Sequence, residues 1–298
     1  MKKRALVTGG SAGIGKETVR ALVAKGYDVI IAARDKAKGD AMVQRIQRET
    51  PSAMVEFMSV DMSDFRQVAS LGLRVRERWS HIDALVLNAG LFTPKLRTNA
   101  AGYEFMFATT HLGHFLLTHY LLDRVVASTD GRIVVTSSVA HFLGGGFNFD
   151  TLRNPSKSSL MMAVPFMAYG RSKLANLLFV RELARQLQGT KVKVNALHPG
   201  GVKSEIWRDT PSLFNAVIGL GLISEEQGAQ TQIYLATDPL LQHSGKHWFK
   251  KKIEAGSPAS RNMETARKLW TYSEKALNIQ AFGKPDGVDD LGHMAQRA

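Results

Sequence analysis

Tyr169 and Lys173 stand four positions apart in Tyr169-Gly170-Arg171-Ser172-Lys173, which puts both side chains on one face if the segment is helical. A tyrosine of ordinary pKa, about 10, is a poor base near neutral pH. A neighbouring ammonium favours its phenolate and eases proton transfer. Such a pair can exchange a proton with a carbonyl or alcohol oxygen while hydride moves at the attached carbon. Ser138, at the end of Arg132-Ile133-Val134-Val135-Thr136-Ser137-Ser138, can hydrogen-bond to the same oxygen. On its own each group has a plainer use, as a helix-surface pair or a polar strand end.

A second group of residues supplies what that chemistry lacks. Thr8-Gly9-Gly10-Ser11-Ala12-Gly13-Ile14-Gly15 closes the first apolar run. Gly9, Gly13 and Gly15 suit a sharp turn from strand to helix, close approach to a pyrophosphate and tight helix packing, with free helix N–H groups facing negative charge. The next strand ends in Ala32-Ala33-Arg34-Asp35. A carboxylate near this point selects an unphosphorylated ribose, whereas an arginine receives a 2'-phosphate. Arg34, with Ser11 and Lys38, favours NADP over NAD, and Asp35 argues the other way if its loop turns inward. Asp61-Met62 and Asn88-Ala89-Gly90 sit at further strand ends. Asp61 either accepts an adenine amino proton or caps the helix after Ser63; Asn88-Ala89-Gly90 either lines the middle of the cofactor or forms only a turn.

The elements that must position these residues follow from alternating short aliphatic runs and amphipathic stretches. Strands are predicted over 3–8, 27–33, 55–60, 83–87, 132–136 and 191–196, with a weaker candidate over 246–249. Helices are predicted over 16–25, 36–49, 65–79, 102–127, 166–187 and 263–277. Strands joined by crossover helices call for a parallel sheet covered on both faces. The predicted architecture is therefore α/β, a single Rossmann-like doubly wound domain over 1–298 with a mainly parallel central sheet, carrying an insertion over 139–168 and a substrate-covering region over 201–225.

Composition narrows the classes. A chain of 298 residues can bury a large core without staples. The absence of cysteine excludes disulfides, thiolate catalysis and cysteine-ligated metals, and is compatible with a reducing cytosol. The basic start Met1-Lys2-Lys3-Arg4 runs into an apolar stretch that breaks at Gly9, too short for a signal peptide. No apolar run is long enough to span a bilayer, so no transmembrane anchor is expected and the expected location is cytoplasmic. The net charge of +13 could steer an anionic cofactor or substrate. No zinc finger or aromatic-basic stripe accompanies it, so no dedicated nucleic-acid partner is expected.

Taken in order, the glycine phrase, Asp61, Asn88-Ala89-Gly90, Ser138, Tyr169 to Lys173 and Pro199-Gly200 resemble a classical short-chain dehydrogenase/reductase over most of residues 1–250. Ser137-Ser138-Val139-Ala140-His141 and Ser172-Lys173-Leu174-Ala175-Asn176 resemble its retinol-dehydrogenase-like branch. The resemblance implies that Ser138 orients the substrate, Tyr169 exchanges the proton, and Lys173 binds the nicotinamide ribose. It also implies that Pro199, Gly200, Val202 and Ser204 approach the nicotinamide. Thr110 departs from the pattern: it occupies the place of an asparagine that, by resemblance, helps hold a water beside the lysine. Threonine lacks the paired donor and acceptor of an amide.

The expected function is NADP-dependent interconversion of an apolar ketone or aldehyde with its alcohol, acting as a carbonyl reductase. Leu160, Met161, Met162, Val164, Phe166 and Met167 offer either an adaptable apolar wall or core packing. Trp207 to Leu222 offers a lid or a fixed element, and Arg261 to Ala298 either covers the pocket or joins another subunit in a homo-oligomer. Two other classes stay open: an NADPH-binding regulatory protein with little turnover, motivated by Thr110, and a membrane-associated scaffold, motivated by the basic charge.

Overall fold

A computed structural model describes residues 2–153, 163–202 and 222–285. The sheet contains β1 (Arg4–Thr8), β2 (Asp28–Ala33), β3 (Val55–Ser59), β4 (Ala84–Leu87), β5 (Arg132–Thr136), β6 (Lys193–Leu197), β7 (His247–Phe249) and β8 (Lys252–Glu254). Its order is β3-β2-β1-β4-β5-β6-β7-β8, parallel throughout except for the antiparallel β7–β8 pair at the edge. This is the expected doubly wound Rossmann architecture.

The central strands are buried on both faces, and their side chains divide between two cores, whereas the edge strand β8 is exposed. Leu6, Ile30, Leu85 and Ile133 face a core shared with α3 (Phe65–Arg78), α4 (Gly113–Val126), α5 (Ala163–Gln186) and α7 (Met263–Leu277). Val7, Val29, Val86 and Val134 face the opposite core, with α1 (Gly13–Ala24), α2 (Lys36–Glu49) and α6 (Glu225–Thr237). Burial of both faces explains the continuous apolar strands. From β1 the chain builds β2 and β3 on one side, then returns to start β4 on the other. The crevice above the carboxyl ends of β1 and β4 is therefore the switch point where ligands bind in such sheets.

Three departures from the expected elements have physical causes. The predicted helix over 102–127 is broken: Tyr103 bridges to Arg153, buried Glu104 caps a single turn over Phe105–Phe107, and Ala108–Leu112 is π-helical before α4 begins. β8 had no turn signal, because β7 and β8 are joined through Lys250 and Lys251, both in the left-handed region at φ 47° and 60°, where glycine or asparagine is the usual marker. α6, for which the apolar spacing predicts no helix, is marked instead by a capping box between Ser224 and Gln227.

The described part of the terminal region, up to residue 285, does not line the crevice. Trp270 of α7 packs edge-on against Phe115 of α4, with centroids 4.9 Å apart, and stacks on Phe179 of α5 at 6.0 Å. His111 is tied to Ser273 of α7 at 2.8 Å. Up to residue 285 this region closes the helical layer rather than the crevice. Among the described residues no helix is long and apolar enough to cross a membrane.

Candidate active site

The crevice holds a cavity of about 690 Å³. At its floor, Thr8 joins the two central strands: its hydroxyl accepts the backbone N–H groups of Asn88 at 2.8 Å and Ala89 at 3.0 Å. The Asn88 amide returns the contact by donating to the Thr8 carbonyl at 2.9 Å. Asn88 therefore fastens the glycine turn to β4 as well as lining the cavity with Ala89 and Gly90.

The turn itself is built for close approach. Gly9 and Gly13 have φ values of 65° and 57°, which β-carbon-bearing residues rarely adopt. A Cβ on Gly15 would collide with the Gly9 carbonyl oxygen and the Asn88 amide. Gly15 thus packs beneath the turn, while Gly9, Ser11, Gly13 and Ile14 line the cavity.

Helix capping marks the pole where an anion would sit. Asp35 caps α2 by accepting from the Lys38 N–H at 3.0 Å, and Asp64 caps α3. α1, with Ala12 at its N-cap, has no side-chain cap and no acid in its first turn, so among the described residues no carboxylate caps its N–H groups at the cavity. That arrangement fits a phosphate. Asp35 lines the cavity together with Arg34 and Lys38, its carboxylate also serving as the α2 cap.

Asp61 and Met62 also line the cavity. The Asp61 carboxylate accepts from the Ser63 N–H at 2.8 Å and the Ser63 hydroxyl at 2.7 Å. The α3 cap is Asp64, so the helix-capping alternative for Asp61 does not apply.

Ser138, Tyr169 and Lys173 converge at the other end, with Pro199, Gly200 and Val202 beside them. The Ser138 hydroxyl hydrogen-bonds to the Tyr169 phenol and also accepts from the Ala140 N–H at 3.1 Å. The Lys173 ammonium donates to the Thr136 carbonyl at 3.1 Å and lies 5.6 Å from the centroid of the Tyr169 ring. Burial moves both groups toward their neutral forms: the phenol is pushed up to about 12 and the ammonium down to about 8. Desolvation raises the phenol and the hydrogen bond from Ser138 lowers it, so burial rather than the expected effect of the lysine sets its direction.

Gly90 makes room for Lys173: a Cβ there would stand 3.1 Å from the ammonium and 3.7 Å from the Thr110 hydroxyl. Thr110 lies in the π-helical turn, fully buried, and its hydroxyl has no hydrogen-bond partner among the described residues. His111 and His114 are buried and neutral, each pushed down to about 3 by desolvation. His114 bonds to the Thr8 hydroxyl and to the Thr110 carbonyl, both at 2.9 Å.

Several contributors escaped the sequence reading. Ser137 donates to the Lys173 carbonyl at 2.8 Å, and the Asn176 amide donates to the Thr136 carbonyl at 3.1 Å, fixing α5 on β5. Asn176 stood in a motif already singled out, three residues after Lys173. Phe92 packs edge-on against Tyr169 at 5.9 Å and lies tilted against Phe166 at 4.7 Å. Arg97 also lines the cavity, its guanidinium 3.7 Å above the Phe105 ring; nothing in its sequence neighbourhood marked it. Ser204, Leu160, Met161, Met162 and Trp207 to Leu220 lie outside the described residues. Leu222 lines the cavity, and Met167 is exposed.

The short chain dehydrogenase family model matches residues 3–148 and 155–212. Human retinol dehydrogenase 13 (Homo sapiens) is 36% identical over 288 residues, covering 94% of this chain and 86% of that one. A solved protein from Mycobacterium Paratuberculosis is 30% identical with a TM-score of 0.73, covering 92% of both chains. The Pseudomonas aeruginosa RhlG/NADP active-site complex is 25% identical with a TM-score of 0.65, covering 82% of this chain and 93% of that one.

Proposed function

The chain belongs to the short chain dehydrogenase family, in its retinol-dehydrogenase-like branch, and is an oxidoreductase of the nicotinamide-dependent kind; from that premise we propose that it uses NADP and reduces an apolar ketone or aldehyde to its alcohol. The observation that carries this reading is the convergence of Ser138, Tyr169 and Lys173 on one cavity whose far end holds the uncapped start of α1 and Arg34.

The cofactor fit is tested by the residues themselves. Ala12 at the start of α1 leaves helix N–H groups for the pyrophosphate, and Arg34, Ser11 and Lys38 would hold the 2'-phosphate. Asp61, Met62, Asn88, Ala89 and Gly90 would line the adenosine and the middle section. Lys173, Pro199, Gly200, Val202 and Ser204 would surround the nicotinamide end. When bound, NADPH supplies the hydride.

Tyr169 would give its phenolic proton to the carbonyl oxygen, and Ser138 would hydrogen-bond to that oxygen and hold it in line. We take reduction as the direction because the phosphate-bearing cofactor is commonly maintained as a reductant. The Lys173 ammonium would stabilise the phenolate that remains. Phe92, Val139 and Leu222 line the cavity and offer apolar surface to a substrate; an insertion over 139–168 and a substrate-covering region over 201–225 within a single domain belong to the same reading. A cytoplasmic location and a homo-oligomer belong to the same reading.

A screen of carbonyls graded in size and polarity, monitored by NADPH consumption, tests the proposal. Apolar carbonyls should drive oxidation. NADPH binding without consumption across the whole panel would instead support the regulatory reading.

A further inference from the structure

His141 follows the reacting serine by three positions and lies almost completely buried, with 1% exposure. Its ring nitrogens have unambiguous roles. The Ser257 backbone N–H reaches Nε2 at 3.0 Å, and an N–H can only donate, so Nε2 is the acceptor. Nδ1 therefore carries the proton and donates it to the Ser138 carbonyl at 2.7 Å. The same carbonyl also accepts the His141 backbone N–H at 3.0 Å. One residue thus grips the Ser138 carbonyl twice.

The far end of this connection is anchored. Ser257 closes a turn in which its side chain accepts the Ser260 N–H at 3.2 Å and its carbonyl accepts the Ser260 hydroxyl at 2.7 Å. That turn follows β8 directly, so the ring joins the sheet edge to the residue whose hydroxyl bonds to the Tyr169 phenol. Ser138 itself is extended, at φ −160° and ψ 156°, and caps the short helical turn over Val139–Gly144. The Ser138 carbonyl is one bond from the Cα that carries the hydroxyl, so a shift of this backbone segment would carry the hydroxyl away from Tyr169. Burial also disfavours the charged ring, and protonation at Nε2 would eject the Ser257 bond.

We propose that His141 is a positioning residue for the reaction, holding the Ser138 carbonyl so that the Ser138 hydroxyl meets Tyr169 and the substrate oxygen; the proposal rests on the reading of Ser138 and Tyr169 as the proton-handling pair. The bond to the Ser138 carbonyl carries this role. A small misplacement of a reacting group costs catalysis while leaving cofactor binding largely intact.

The test compares His141→Asn with His141→Leu in the full chain. The two replacements have nearly the same size and branching, but only asparagine offers a donor near the Nδ1 position. With NADPH and the best carbonyl from the screen, His141→Leu should lose about 100-fold in kcat while its NADPH Kd stays within about twofold of wild type. His141→Asn should recover most of that loss. Equal behaviour of the pair, whether both fast, both slow or both unfolded, overturns the proposal and makes the ring a packing element. A wild-type chain that oxidises no NADPH with any carbonyl overturns the oxidoreductase reading and this proposal with it, whereas an active wild type with equal variants overturns this one alone.

Discussion

The Lys173 ammonium lies 5.6 Å from the centroid of the Tyr169 ring and spends a hydrogen bond on the Thr136 carbonyl rather than on the phenol. Burial moves both groups toward their neutral forms, and for the lysine this fixes a pH signature. Lys173, pushed down to about 8, is charged below that pH and neutral above it. If its charge stabilises the phenolate left after proton donation, kcat/KM for carbonyl reduction should stay level from pH 6 to 7.5 and fall with loss of one proton above about 8. A profile that remains level to pH 10 contradicts this role.

Arg34 is exposed at the cavity rim while its neighbour Asp35 is committed to capping α2. Arg34→Ala should weaken NADPH binding about 30-fold and leave NADH nearly unaffected, as expected for loss of a charge-assisted bond to phosphate. Paired Kd measurements check it. An unchanged preference would remove Arg34 from the phosphate site.

Thr110 combines complete burial with a hydroxyl that has no partner among the described residues, close to the Lys173 ammonium. An unpartnered buried hydroxyl costs stability, so Thr110→Val should fold with equal or higher stability, by up to about 1 kcal/mol. If the hydroxyl organises the proton path beside Lys173, kcat should nevertheless fall about 10-fold. Denaturant melts and steady-state kinetics separate the two effects. Unchanged kcat would make Thr110 a space-filling residue.

The sequence displayed the sheet because its strands are buried on both faces and read as unbroken aliphatic runs, Ala5-Leu6-Val7 and Ala84-Leu85-Val86 among them. The candidate site was legible where an unusual residue type stands at an element's end or face: glycine in the turn before α1, arginine after β2, and tyrosine with lysine on α5, all of which meet the cavity. Long-range polar links left no such trace. The pairing of His141 with Ser257 spans 116 positions, and that of Thr8 with His114 spans 106. Neither has a local spacing to betray it. The balance of charge and burial at Tyr169 was equally hidden, since desolvation depends on what the fold packs around the ring.

Replacement of Tyr169 by phenylalanine removes one oxygen from a buried ring and tests the central claim most directly. In Tyr169→Phe, carbonyl-dependent NADPH oxidation should fall at least about 100-fold, while NADPH still binds within about twofold of its wild-type Kd. Turnover equal to wild type in that variant would contradict proton donation by this phenol and the function built on it.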